Sequence, residues 1–479
     1  MIRINFFFTL LTFLKITFHN SQTFNSFNSD FNPPNFIVIL IDDQGWNGTS
    51  VQMSDEISDS KSDFYLTPNL EKLALNGMRF SSAYSSAPVC APSRYSLQFG
   101  QTPARLKMIR VGMNTDHIDH NRKITIPRLL KSINPNYKSA HFGKWGMGSE
   151  PSQLGYEISD GKTKNNDGGF DYKNNKRQWQ NNINIDPKLI FSTTQKAINF
   201  IDDQVKSNSP FFVQISHYAV HSDIMMRKGT LDKFKNIPKG KYHNHEGFAA
   251  MTEDLDFGIG LLLDHLEKNV LIENTYIIYT SDNGAVPIMP PTPFYNNSTN
   301  HPLKRGKWDA TEGGIRVPFI ISGPNIKKGS ESKNTITLSD ILPTIADIAG
   351  YKNTMPKNID GGSFKNILFN EGKGLIERIH DFFIFHVPYE NRIAFNRAHS
   401  SIIDQNYKLI KFYDNGELML FDLNDDFAEL NNLNKKHPKI SYMLEEKLDN
   451  YLQMVKAPKW RPGITWRDNK TVEEIDSFH

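Results

Sequence analysis

The run Phe36-Ile37-Val38-Ile39-Leu40-Ile41 constrains the fold of this chain more than any other segment, because it is unbroken: it follows Pro33-Pro34 and stops only at Asp42-Asp43. A strand with one wet face alternates polar and apolar side chains, so a continuous apolar run implies a strand covered on both faces, as in parallel sheets. Comparable runs lie at residues 211–215, 276–279 and 317–321, with amphipathic, helix-like segments at 187–205 and 247–268 between some of them. Strands alternating with helices predict an α/β fold: a large, mainly parallel sheet sandwiched by helices.

The texture changes near residue 350. An Asp360-Gly361-Gly362-Ser363 turn precedes short apolar segments at 382–387, 401–403, 409–412 and 418–423, and Asp414-Asn415-Gly416 is a hairpin turn. Residues 351–479 are therefore expected to form a smaller C-terminal antiparallel-sheet subdomain with a helix at 437–454, appended to a catalytic α/β domain at 35–350. At the other end, Arg3 precedes an apolar run at 6–14 that is too short for a bilayer of about 30 Å, which predicts a signal peptide over residues 1–22 and a periplasmic or secreted protein. No other stretch approaches the roughly 18 apolar residues of a membrane span.

With 55 basic against 52 acidic side chains, the formal charge of +3 is too thin for a nucleic-acid footprint, so an anionic ligand must be met by a local site. In parallel sheets ligands gather outside the carboxyl ends of the strands. Asp42-Asp43 directly follow the first strand, and Ser281-Asp282-Asn283-Gly284 directly follow the run at 276–280. Asp-Asp after a strand is equally a helix cap when taken alone. The second cluster shifts the reading to a cation site, because converging carboxylates need a counter-charge. Asp42, Asp43, Asp282 and Asn283 are hard oxygen donors, which suits one Ca2+ ion, and no histidine or thiolate among them favours zinc.

Cys90 is the only cysteine, so it cannot form an internal disulfide. It opens Cys90-Ala91-Pro92-Ser93-Arg94, and here the sequence resembles the formylglycine-dependent sulfatases of the alkaline-phosphatase-like superfamily. Further segments resemble that family in its order: Asp42-Asp43-Gln44-Gly45-Trp46, Gly143-Lys144-Trp145, Ser281-Asp282-Asn283-Gly284, Lys307 with Glu312-Gly313-Gly314-Ile315-Arg316-Val317-Pro318, and Phe421-Asp422-Leu423 with Glu429 and Leu433. The resemblance implies an α/β sulfatase in which a formylglycine-generating enzyme oxidises Cys90 to an aldehyde. Its hydrate joins the metal ligands and attacks the sulfur of a sulfate ester. It also implies that Arg94, Lys144, His221 and Lys307 complete the catalytic set, with Lys144, His221 and Lys307 on the substrate. His221 matches the family's acid by position, and His217, nearer the strand end, competes with it.

One position departs from the family pattern: Gly146 stands where most members carry a histidine. His141 is a weak substitute, since an extended segment would point it elsewhere, and a glycine at 146 is expected to widen the pocket for a bulky glycan. The export signal and loop-rich chain suit a sulfated carbohydrate as substrate, with the loops at 153–182 and 286–303 at the pocket mouth. Two rivals remain open. A phosphoesterase or phosphonate hydrolase of the same superfamily would use a second metal, and a catalytically silent glycan-binding homologue would keep the pocket with Cys90 unmodified.

Overall fold

The computed structural model describes residues 33–171, 173, 177–287, 299–390, 395 and 397–463, so the expected signal peptide lies outside the described residues. Pro33–His479 form one compact unit. At its centre is an eight-stranded sheet in the order Ser330–Ser332, Gly77–Phe80, Phe319–Ser322, Thr275–Ser281, Asn35–Ile41, Phe211–Ser216, Lys138–Gly143, Ile158–Ser159. Phe319–Ser322 runs antiparallel to both its neighbours, and every other pairing is parallel.

The strand Asn35–Ile41 is buried throughout because each face meets its own core. Phe36, Val38 and Leu40 pack into one hydrophobic cluster, beneath the helices Cys90–Phe99, Ile126–Ile133 and Ile341–Ile348. Ile37, Ile39 and Ile41 pack into the other, with the helices Pro68–Leu75, Ile190–Lys206 and Glu246–Lys268. A period of two thus delivers alternate side chains to two helical layers, the arrangement that a continuous apolar run requires.

Register then aligns the strand ends. Ile41 pairs with Ser281, Leu40 with Ser216, and Gly143 with Ser216, so three parallel partners finish level with the first strand at one edge of the sheet. Lys138–Gly143 was not legible as a strand, because Ser139 and His141 interrupt its apolar pattern.

Phe382–Val387, His399–Asp404, Tyr407–Phe412 and Leu418–Asp422 form a second, antiparallel sheet in chain order. One face packs Ile384, Ile402, Leu409 and Leu420 against Leu444, Leu448 and Tyr451 of the helix Pro438–Met454. The other face sends Phe385, Val387 and Ile403 into the first core of the large sheet. A buried ion cluster adds to this junction: Lys408 Nζ lies 2.9 Å from Glu312 Oε1 and 2.8 Å from Glu429 Oε1. Among the described residues no helix is long and apolar enough to cross a membrane.

Candidate active site

The level strand ends carry the polar clusters. Asp42 and Asp43 follow one strand, Asp282 and Asn283 the next, Lys144 follows Gly143, and the segment from His217 to His221 follows Ser216. Cys90 begins the helix Cys90–Phe99 and is buried, with 5% of its surface exposed. Ser93 explains part of the segment's sequence: its Oγ accepts from Ala87 N–H and donates to Ala87 C=O, both at 2.9 Å, which pins the turn leading into Cys90. Trp308 N–H donates to Pro88 C=O at 2.8 Å, so the Lys307 segment is held against the same turn.

These pieces meet. One carboxylate oxygen each from Asp42 and Asp282 and the sulfur of Cys90 all lie within 4.8 Å of one another. Lys144 Nζ donates to Asp42 Oδ2 at 2.6 Å, and Lys307 Nζ to Asp43 Oδ2 at 2.7 Å. Arg94 Nε donates to Asp282 Oδ2 at 2.8 Å, four residues beyond Cys90 and one helical turn along, as the helix spacing predicts. Asn283 Nδ2 donates to Asp43 Oδ1 at 2.8 Å.

The electrostatics follow from burial and pairing. Burial works against a charge on Asp42, yet Lys144, His221, Arg94 and Lys307 together hold its carboxyl well below the usual range. Burial pushes Asp282 up to about 7 despite Arg94. Burial also raises the Cys90 thiol, against the pull of Lys144 and Lys307. A plain thiol here is therefore a poor nucleophile.

The oxygen donors fit a hard divalent cation. Asp42 Oδ1 and Asn283 Oδ1 are buried without a hydrogen-bond partner among the described residues. Buried oxygens of that kind are costly unless something is coordinated.

His221 joins the site, with Nε2 at 3.7 Å from Asp43 Oδ2, and burial, with Lys307, lowers it to about 4. His217 does not join it: burial lowers it to about 4, and the charge that bears on it is Asp186. His141 is structural. Its Nε2 lies 3.0 Å from Ser216 Oγ, and its ring packs edge-on against Trp145 and Tyr156.

Gly146 overturns the expectation of a wider pocket. Its φ is +69°, and a Cβ there would meet Arg94 Cδ at 3.2 Å and Lys144 Cε at 3.3 Å. The space is taken by the stems of two site cations.

Two neighbours escaped the sequence. Lys188 is 2% exposed, lies among Asp223, Asp42, Lys144 and Asp43, and burial lowers its ammonium to about 7. Asn165, in the one-turn helix Asn165–Gly168, places Nδ2 at 3.2 Å from His221 Nε2. Neither stands in a motif; only the loops' return to the strand ends brings them in.

The family model described as Sulfatase matches residues 34–351, and the model described as N-sulphoglucosamine sulphohydrolase, C-terminal, matches residues 306–455. An N-acetylgalactosamine-6-sulfatase of Mus musculus is 28% identical over 361 residues, covering 69% of this chain and 65% of its own length. A sulfatase of Formosa agariphila is 29% identical over 520 residues, covering 91% of each chain. Among solved structures, Ps i-CgsB superposes with a TM-score of 0.70 at 24% identity, covering 89% of this chain and 94% of that one.

Proposed function

This chain belongs to the sulfatase family, and from that premise we propose that it hydrolyses sulfate esters on a carbohydrate, with residue 90 as nucleophile after oxidation to formylglycine. The observation that carries the proposal is the convergence of Cys90 with Asp42 and Asp282 beneath the ammonium groups of Lys144 and Lys307. The name of the mouse relative, an N-acetylgalactosamine-6-sulfatase, supports a sulfated sugar as substrate. Arg3 and the apolar run at 6–14 support export to the periplasm or beyond, and maturation requires a formylglycine-generating enzyme.

Asp42, Asp43, Asp282 and Asn283 would hold one Ca2+ ion, and together the ion and the hydrated aldehyde would supply an activated hydroxyl for attack on sulfur and a second to expel sulfate. Lys144 and Lys307, paired with Asp42 and Asp43, would place fixed positive charge beside the sulfate oxygens, which favours the negative charge that grows as the ester breaks. Arg94 is tied to Asp282 and orients that carboxylate. His221 donates Nδ1–H to Ser222 C=O at 2.6 Å, which leaves Nε2 to face the site. An incoming sulfate adds the negative charge that draws a proton onto Nε2, from which it passes to the leaving alcohol.

A two-metal phosphoesterase would need further Asp or His ligands beside Asp42 and Asp43, where ammonium groups stand at 2.6 and 2.7 Å. The silent-binding reading draws on Gly146 and predicts an unmodified thiol at Cys90. Mass spectrometry of the residue-90 peptide from the native host separates the two, since the aldehyde is lighter by about 18 Da. The decisive assay is sulfate release across a panel of defined sulfated mono- and oligosaccharides. Cys90→Ser should release none, because its single hydroxyl cannot expel the sulfate it accepts; full turnover in that variant would refute the mechanism.

A further inference from the structure

His221 uses only one ring nitrogen for anchorage. Ser222 C=O accepts and cannot donate, so the 2.6 Å contact places a hydrogen on Nδ1 and makes Nε2 the working nitrogen. The side-chain group within hydrogen-bond distance of Nε2 is the amide of Asn165, at 3.2 Å through Nδ2. The other end of that amide, Oδ1, is buried and has no hydrogen-bond partner among the described residues.

The loop that carries Asn165 is fastened to the strand end that carries Lys144. Thr163 Oγ1 donates to Gly143 C=O at 2.6 Å, Gly146 N–H donates to Thr163 C=O at 2.9 Å, and Trp145 N–H donates to Thr163 Oγ1 at 2.8 Å. Phe170, beyond the same turn, meets the His221 ring edge-to-face with centroids 4.9 Å apart. The imidazole is thus gripped from its flank and by its working nitrogen from one short loop.

An amide is the neutral side chain that offers both a donor and an acceptor on one planar head. In the structure it is Nδ2–H that stands at the Nε2 lone pair. We propose that Asn165 is a positioning residue that sets the direction of His221 Nε2 in the resting site, so that this nitrogen is aimed at the leaving alcohol once the ester displaces the amide. The inference rests on the sulfatase reading above. In the step concerned, sulfur gains its bond to the residue-90 oxygen and loses its bond to the bridging oxygen. The Nε2 proton moves to that oxygen, which departs as the alcohol, and Asn165 Nδ2–H then meets the vacated lone pair.

The test uses two esters that differ in their need for that proton: the best sugar sulfate from the panel, and 4-nitrophenyl sulfate, whose phenolate leaves unprotonated. Asn165→Ala should lower kcat on the sugar sulfate by roughly 10- to 100-fold with a smaller change in KM, and lower the ratio of sugar to nitrophenyl kcat at least about tenfold. Added to His221→Ala, it should cost little more on the sugar ester, because both changes remove the same function. Equal losses on the two esters, or additive losses in the double variant, would overturn the role of Asn165 while leaving the sulfatase reading in place. Wild-type protein that carries the aldehyde yet releases sulfate from neither ester would sink both.

Discussion

Lys307 illustrates how much of the site turns on single side chains. It is buried, and although burial opposes its charge, Asp43 keeps its ammonium above the ordinary lysine range, so it stays charged throughout neutral pH. Lys307→Ala removes a fixed cation from the sulfate and should lower kcat by about 10²–10³-fold, read as sulfate release. Lys307→Arg should rescue little, since a broad planar fork cannot replace a point charge in a closed space. Gly146 obeys a different constraint. Gly146→Ala must take up φ near +69° and push against Arg94 and Lys144. It should destabilise the protein by about 1–2 kcal/mol in denaturant titration and lower kcat, because the displaced stems carry site cations. Cys90, Arg94 and Lys144 were legible at this scale because their chemistry demands short motifs. Asn165 and Lys188 were not, because what they touch is decided by loops returning to the sheet edge from elsewhere in the chain.

Among the elements, the strand His399–Asp404 links the small sheet to the Lys307 segment through a histidine that must stay neutral. His399 Nε2 accepts from Ala310 N–H at 2.9 Å, and Nδ1 donates to Arg397 C=O at 2.9 Å. Burial lowers its pKa to about 4 from 6.5, so between those values the unfolded chain binds a proton that the folded chain refuses. The stability it contributes is complete above about pH 6.5 and is lost as pH falls toward 4. His399→Gln, whose amide oxygen can accept from Ala310 without titrating, should show a shallower acid loss of stability in denaturant melts at pH 7, 5.5 and 4. The strands Asn35–Ile41, Phe211–Ser216 and Thr275–Ser281 could be read beforehand from runs covered on both faces. The strand Lys138–Gly143 could not, although it delivers Lys144, because Ser139 and His141 find their partners, Gly155 C=O and Ser216 Oγ, only after the neighbouring segments and Tyr156 are in place.

For the whole molecule, the proposed cation site joins segments from residues 42 to 283, so ion binding should be felt as global stability. EGTA should lower the melting temperature of the wild type, and Ca2+ at about 100 times its dissociation constant should restore roughly 2.7 kcal/mol. Asp42→Asn should respond to neither addition, and calorimetry would show whether the effect tracks one ion. The mainly parallel architecture was legible from a few apolar runs, because such a sheet admits few other arrangements. The fit of the small sheet onto the first core was not, because Phe385, Val387 and Ile403 look like ordinary strand residues until a partner face exists. The position of Cys90 sets an order of events on this assembly. Cys90, a residue only 5% exposed at the start of a packed helix, is out of reach of another protein's active site once the chain has closed. The proposed oxidation of residue 90 would therefore have to catch the polypeptide while still open, giving each molecule one early chance to become competent and leaving a copy that folds too soon inert.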